Sequence, residues 1–116
     1  MTQSEELRNL LQKRIVLLDG GTGTELIKRG MPSGVSPEVW AASNTQIISA
    51  MHSDYIEAGA DIILTCTFGG TEAKLGSRER TVDLNHRLAD IAIRVAGGNT
   101  MVAASIGPTG NLMHPS

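Results

Sequence analysis

Apolar residues along this chain fall into short continuous runs separated by longer stretches with helical spacing. We interpret three runs, near 14–19, 61–66 and 101–105, as strands, because a continuous apolar run is typical of a strand buried on both faces of a parallel sheet. The stretches 45–58 and 81–96 repeat apolar residues every three or four positions, which predicts amphipathic helices. Their predicted core faces comprise Ile47, Ile48, Met51, Tyr55 and Ala58, and then Leu84, Leu88, Ile91, Ala92 and Val95.

Residues that start or stop helices bound the remaining elements. A helix over 4–13 begins at Ser4 and has acidic residues in its first turn. Residues 24–29 predict a single helical turn that closes at the next glycine. Asn44 is a suitable N-cap for the helix that follows it, and Gly59 is a suitable stop.

The order of these elements determines the predicted fold class. Strands that alternate with helices form parallel sheets with helical crossovers, so the chain is predicted to be α/β. After its third strand the chain continues only as a loop, which would leave an open sheet edge and uncovered apolar faces. We therefore expect residues 1–116 to be an incomplete domain of about three βα units, or a short protein completed by a partner.

Composition and charge exclude several classes of protein. The formal net charge is −2 and aromatic residues make up 3%, so the basic patch and the stacking residues typical of nucleic-acid binding are missing. The N-terminal segment is charged rather than apolar, and no apolar run approaches the roughly 20 residues that span a membrane. A single cysteine, Cys66, excludes an internal disulfide and agrees with a reducing compartment. These features favour a cytoplasmic protein that binds neither nucleic acid nor a membrane.

Small and polar residues follow each predicted strand. They occupy 19–25, 65–68 and 105–110, and the carboxyl ends of parallel strands form the ligand-binding edge of α/β folds. In the first segment, glycines let backbone N–H groups approach a ligand. Asp19 could accept hydrogen bonds from a ligand ammonium group, or cap the turn that follows it. The three segments together predict one binding mouth.

The glycine-rich first segment also fits a nucleotide site in part. Gly21-Thr22-Gly23 matches the first half of the dinucleotide fingerprint GxGxxG, but Leu26 occupies the third glycine position and the acidic residue expected about 20 residues on is missing. The Gly-Lys-Ser/Thr of a phosphate-binding P-loop is also missing. A nucleotide-binding domain would lose its ligand on Gly21→Val or Gly23→Val substitution.

Cysteine and histidine do not form a ligand cluster in the sequence. One cysteine cannot supply the three or four protein ligands of zinc, and His52, His86 and His114 lack a ligand spacing. His52 and His86 fall within predicted helices, where structural roles are expected. Cys66 is predicted to be a buried, inert thiol.

Four sequence motifs together resemble the homocysteine S-methyltransferase family. They are LDGGTGTELIKRG, PEVWAAS, HSDYIEAGADIILTCTF and ASIGPTG, which occur in this order over roughly residues 14–110. The family includes the homocysteine-binding domain of cobalamin-dependent methionine synthase, betaine–homocysteine methyltransferase and S-methylmethionine-dependent enzymes. The resemblance implies the N-terminal part, about three βα units, of a (β/α)₈ TIM barrel.

The resemblance also implies an activity, the transfer of a methyl group to the thiolate of homocysteine to give methionine. A catalytic zinc ion would bind the thiol and favour the thiolate. The Asp-Gly-Gly segment after the first strand would hold the amino acid, with Asp19 at its ammonium group. The substrate-binding residues that the resemblance implies are Asp19, Gly20, Gly21, Thr67, Gly107, Pro108 and Thr109.

Two departures from the family pattern limit this interpretation. The family's zinc ligands are a cysteine in a later strand and a Cys-Cys pair near the last strand, so we expect the zinc ligands outside this chain and no catalytic or metal-ligating residue within it. Cys66 stands where methionine synthases usually have asparagine, and is therefore not assigned to zinc. Three questions are left open. They are which molecule donates the methyl group, whether a longer protein carries a corrinoid or folate domain, and whether the chain is instead a non-catalytic binding module that forms a homo-oligomer.

We predict that the 116-residue polypeptide is only marginally stable as a monomer, because three strands would leave an apolar sheet edge exposed. Thermal unfolding followed by circular dichroism at several protein concentrations, with the oligomeric state measured by analytical ultracentrifugation, checks this. A cooperative melt of a monomer, with a midpoint independent of concentration, would contradict the prediction.

Overall fold

The computed structural model describes residues 2–110, in which six helices and two short strands confirm the predicted α/β class. His114 lies outside the described residues. The helices are α1 (Gln3–Lys13), α2 (Gly23–Lys28), α3 (Pro37–Ser43), α4 (Thr45–Glu57), α5 (Glu72–Leu75) and α6 (Arg78–Ala96). The strands are β1 (Ile62–Leu64) and β2 (Met101–Ala103).

The two strands form a parallel pair, and a third segment lies along the free side of β1. Ile62 stands opposite Met101 in the parallel register. On the other side of β1, the backbone N–H of Asp61 donates to the Leu17 carbonyl at 2.8 Å, and that of Asp19 donates to the Ile62 carbonyl at 2.9 Å. The spatial order is therefore the first segment, β1 and β2, with helices in both connections.

The strand predicted near 14–19 is wrong in its extent and in its burial. A single parallel bridge, between Leu18 and Ile62, represents it in the structure. Ile15 is 83% exposed, and Leu17 and Leu18 are each more than half exposed. Among residues 2–110 the run has a hydrogen-bonded neighbour on one side only, so the pairing that would extend it into a strand and bury it is incomplete there. The other two strands are shorter than predicted, with three residues each.

Asp61 joins all three segments at the amino end of the sheet. Its carboxylate accepts two hydrogen bonds from the Arg14 guanidinium, at 2.8 and 2.6 Å, and one from the backbone N–H of Leu17 at 2.9 Å. Its backbone carbonyl accepts from the N–H of Met101 at 3.1 Å. The hydrogen bond from Arg14 lowers the pKa of Asp61 to about 2, so this paired, charge-assisted contact is fully formed at neutral pH.

Most helix ends follow local sequence signals. At the first helix, Thr2 rather than Ser4 is the N-cap, and it forms a capping box with Glu5. Asn44 occupies the predicted N-cap of α4, but its side chain donates to the Trp40 carbonyl at 2.8 Å instead of capping. Gly59 ends α4 with a positive φ of 111°, as its predicted role as a stop requires.

Helices α3 and α5 were not predicted from the sequence. The hydroxyl of Ser36 caps α3 by accepting from the backbone N–H of Val39, and Pro37 occupies the first turn, which is a usual start signal. Both helices are short, with seven and four residues, and therefore show little periodicity. None of the helices within residues 2–110 is long and apolar enough to cross a bilayer.

The core forms where α4 and α6 pack against each other and against the sheet. Most of the predicted apolar faces of these two helices are buried or half-buried, whereas Ala58, at the end of α4, is exposed. Tyr55 packs against the same core as a half-buried residue, as predicted, and so does Trp40 of α3. The fully or nearly buried side chains of the two helices are Ile48, Met51, His52, Leu84, Leu88, Ala92 and Ala96.

His52 is the polar exception in this core. Its side chain is fully buried in α4, and neither ring nitrogen has a hydrogen-bond partner among residues 2–110. Burial lowers the pKa of His52 to about 4, so the imidazole is neutral at physiological pH. A buried donor without an acceptor costs roughly 1–3 kcal/mol, so this histidine stabilises the core less than an apolar side chain of similar size would.

We predict that His52→Met stabilises the fold and flattens its acid dependence. An unfolded histidine has a pKa of about 6.5, so the unfolded state binds more protons than the folded state between that pH and about 4. The contribution of His52 to the free energy of unfolding is therefore highest above about pH 6.5, and it falls by up to about 3 kcal/mol as the pH drops to about 4. The titration of Asp61 lies below this pH range.

Urea unfolding near neutral pH and in mild acid, with sucrose added to both to extend the folded baseline, measures this effect. His86→Met, on the exposed side of α6, is the matched control. An equal acid dependence in the wild type and in His52→Met would show the prediction to be wrong.

Candidate functional site

The three segments predicted to form a binding mouth do meet at the carboxyl edge of the sheet. Between them lies a cavity of about 320 Å³. It is bounded by the first segment, by the start of α3, by the end of β1 with the loop after it, and by the exit from β2. The lining residues are Thr22, Gly23, Pro37, Glu38, Leu64, Cys66, Phe68 and Ser105.

Asp19 reaches across this edge from the first segment to the second strand. Its Oδ2 accepts a hydrogen bond from the backbone N–H of Leu64 at 3.0 Å, whereas Oδ1 is buried and has no partner within residues 2–110. The hydrogen bond thus goes to β1 and not to the turn that follows Asp19. Burial raises the pKa of Asp19, although the hydrogen bond from Leu64 opposes this effect. One buried carboxylate oxygen is therefore left without a donor from residues 2–110.

The glycine segment after Asp19 is held by a residue of α4. The hydroxyl of Tyr55 donates to the Gly21 carbonyl at 2.8 Å. A Cβ at Gly20 would lie 2.9 Å from that same hydroxyl oxygen, and a Cβ at Gly21 would lie 2.8 Å from Oγ1 of Thr24. A side chain at either position would therefore displace Tyr55 or Thr24, and as glycines both residues present exposed backbone at the edge.

The second and third segments are joined by a closed set of hydrogen bonds. The backbone N–H of Ser105 donates to Oγ1 of Thr65 at 3.1 Å, and Oγ1 of Thr67 donates to the Ser105 carbonyl at 2.7 Å. The two threonine hydroxyl oxygens are 2.6 Å apart, and since the Thr67 proton is already engaged, Thr65 is the donor between them. Thr67 is thus a buried connection between loops, and its predicted contact with substrate stays a prediction.

The third segment packs closely on the second. A Cβ at Gly107 would collide with the Phe68 carbonyl, so the backbone at this position tolerates only glycine without a shift. Pro108 and Thr109 continue from it as exposed residues. The segment therefore packs against Phe68, which lines the cavity, and its role in binding substrate stays a prediction.

Cys66 is a buried thiol at the base of the cavity. Burial raises its pKa to about 12, and the charges of Glu38 and Asp19 contribute in the same direction. The thiol is therefore protonated at neutral pH and is a poor nucleophile and a poor metal ligand. Its backbone has a φ of 61°, a left-handed conformation that is uncommon for a residue with a side chain. The predicted buried position is confirmed.

The residues present do not fit a zinc site. Within residues 2–110, no three side chains of His, Cys, Asp or Glu are grouped so that they could hold a metal ion. The Cys66 thiol, on which the charges of Asp19 and Glu38 act, is kept protonated by burial.

Two residues of this site were not singled out from the sequence as site residues. Tyr55 was expected only to pack, because its hydroxyl contact with the first segment depends on how α4 crosses the sheet. Glu38 lies in the PEVWAAS motif but was not singled out, because α3 was not predicted. The capping pattern of Ser36 followed by Pro37 is the sequence signal that could have located this helix and its buried acid.

Comparison with known proteins agrees with the resemblance in the motifs. The family model described as homocysteine S-methyltransferase matches residues 16–116. The homocysteine S-methyltransferase of Escherichia coli K12 is 34% identical, over 95% of this chain and 41% of the relative. Homocysteine S-methyltransferase 2 of Saccharomyces cerevisiae is 28% identical, over 84% of this chain and 36% of the relative.

The fold comparison points the same way. The crystal structure of the homocysteine methyltransferase MmuM from Escherichia coli, in its metallated form, superposes with a TM-score of 0.78 and 30% sequence identity. The superposition covers 90% of this chain and 42% of the MmuM chain, so this chain spans less than half the length of these relatives. The match over residues 16–116 includes nearly the whole sequence, and the chain belongs to the homocysteine S-methyltransferase family.

Proposed function

We propose that this chain forms the first three βα units of a (β/α)₈ barrel and supplies the part of a methyltransferase site that holds the amino group of homocysteine. The parallel order of first segment, β1 and β2, with a helical connection before each strand, is the order in which barrel units follow one another. Active sites of such barrels lie at the carboxyl ends of the strands, which is the edge that carries Asp19.

The free oxygen of Asp19 is the observation that carries this proposal. A buried carboxylate oxygen without a donor is costly, and an ammonium group supplies the missing hydrogen bond and the opposite charge. The neighbouring glycine segment, fixed by Tyr55, presents exposed backbone beside the same oxygen. An α-amino acid fits this pair of features, and the family match favours homocysteine over a nucleotide.

The proposed reaction is transfer of a methyl group to the homocysteine sulfur, giving methionine. Zinc supplies thiolate stabilisation in chemistry of this kind. Since the described residues do not fit a zinc site, the role proposed for them is to bind and orient the amino acid, and no step assigned to them passes through a metal. Orientation of this kind contributes to rate because it removes the entropic cost of bringing the reactants together.

Asp19→Asn is predicted to weaken homocysteine binding by about tenfold or more. The asparagine oxygen can still accept the hydrogen bond from Leu64, so the fold is retained, but an amide N–H₂ replaces the free oxygen and repels an ammonium group. Hydrogen bonds to charged groups contribute about 1.5–3 kcal/mol, and about 1.4 kcal/mol corresponds to a factor of ten.

Calorimetric titration of the chain with L-homocysteine under reducing conditions measures the loss. Asp83→Asn, an exposed carboxylate on α6, is the control and should bind as the wild type does. Equal affinities for Asp19→Asn and the wild type would remove Asp19 from the site, and a wild type that binds no homocysteine would overturn the proposal.

A further inference from the structure

Glu38 is a buried acid without an ionic partner among residues 2–110. It lies in the first turn of α3, behind the capping Ser36, and its residue surface is only 7% exposed. Its one hydrogen bond within residues 2–110 comes from the Ser36 hydroxyl at 3.5 Å, the long limit for such a contact. The described ion pairs all involve other acids.

The surroundings of Glu38 increase the cost of its charge. It lines the same cavity as Cys66, and the residues that line this cavity include no Lys, Arg or His. The charges of Glu38 and Asp19 both act on that thiol, so Asp19 lies near the same region. A buried carboxylate without a counter-charge destabilises a fold by several kcal/mol unless something else compensates. The lining offers only hydroxyl groups, from Thr22 and Ser105, as side-chain donors besides the protonated thiol.

Packing holds the carboxylate in this cavity. A Cβ at Gly69 would collide with the carboxylate of Glu38, so the acid rests directly on the backbone of the loop after β1. Glycine at this position makes room for the carboxylate. The acid is therefore seated in a fixed position between α3 and the substrate edge.

We propose that Glu38 is a second substrate-binding carboxylate, which accepts a hydrogen bond from the α-ammonium group of the amino acid in this cavity. An ammonium group has three donors, so it can bond to Asp19 and Glu38 together and compensate both buried charges. Glu38 would then make the site select ligands that carry the ammonium group. This inference rests on the proposed function and adds a specificity-determining residue to it.

The first experiment compares two ligands with and without that group. Calorimetric titrations of the wild type and Glu38→Gln use L-homocysteine and γ-mercaptobutyrate, which has the same thiol and carboxylate but no amino group. Glu38→Gln should lose about tenfold in affinity for homocysteine and keep its affinity for γ-mercaptobutyrate. Glu79→Gln, exposed in the first turn of α6, should change neither.

The outcomes separate this inference from the proposed function. If the wild type binds homocysteine and Glu38→Gln binds it equally well, the role of Glu38 is overturned and the proposed function stands. If both ligands weaken in parallel, Glu38 does not recognise the ammonium group, and the inference again fails. A wild type that binds no homocysteine overturns the proposed function, and the inference with it.

A second measurement needs no ligand and tests whether the role of Glu38 is only to stabilise the loop after β1. Glutamine has nearly the same shape and can still accept from Ser36, so removing an uncompensated charge should move the urea midpoint of Glu38→Gln upward. A downward shift would mean that the carboxylate stabilises the loop, and would contradict a substrate-binding role. Circular dichroism of the variant verifies that it is folded.

Discussion

The contacts of Asp61 determine where every other part of the sheet lies. Through its carboxylate it binds Arg14 and the backbone of Leu17, and through its own backbone it pairs with Leu17 and Met101. These contacts set the three segments in one parallel register from their amino ends. Because the register is common, their carboxyl ends must also meet, and Asp19, Thr65 and Ser105 come to one edge as a consequence.

The amino and carboxyl ends of the sheet also differ in how their acidic side chains are paired. At the amino end, the acid Asp61 has a bidentate cation and backbone donors, so its charge stabilises the fold. At the carboxyl end, within the described residues, Asp19 has a buried oxygen without a donor and Glu38 has a single long hydrogen bond. In a parallel α/β fold, paired charges are expected at the amino edge, which stabilises the fold, and unpaired charges at the carboxyl edge, which binds ligands.

Sequence patterns predicted the parts of this fold that depend on local interactions. Apolar periodicity located α4 and α6, and Gly59 marked a real helix end, because side-chain spacing and left-handed backbone are properties of short stretches. The prediction of the first strand was wrong because the burial of a strand depends on neighbours distant in the chain. One side of the run at Leu18 has no such neighbour among residues 2–110. The short helix α3 left too little periodicity to detect.

The site was predictable to a similar degree and for a similar reason. Asp19 and the three polar segments could be located because parallel strands bring their carboxyl ends together. The partner of Asp19, the backbone of Leu64, and the anchor of Gly21, the hydroxyl of Tyr55, are set by long-range packing. Glu38 reaches the cavity only because α3 folds over the loop that contains Gly69, which no local pattern encodes.

The wide sequence separation of the Asp61 contacts has a consequence for how the chain reaches this structure. The hydrogen bond between Asp61 and Leu17 joins residues 44 positions apart, so the sheet cannot grow from a hairpin. Such long-range closure slows folding compared with proteins dominated by local contacts, and α4 and α6 can form before it. Until the closure occurs, the apolar run 15–18 lacks its backbone hydrogen bonds with Asp61 and Ile62. We expect the time during which the chain can misassemble during synthesis to depend on how fast Asp61 forms its hydrogen bonds with Arg14 and Leu17.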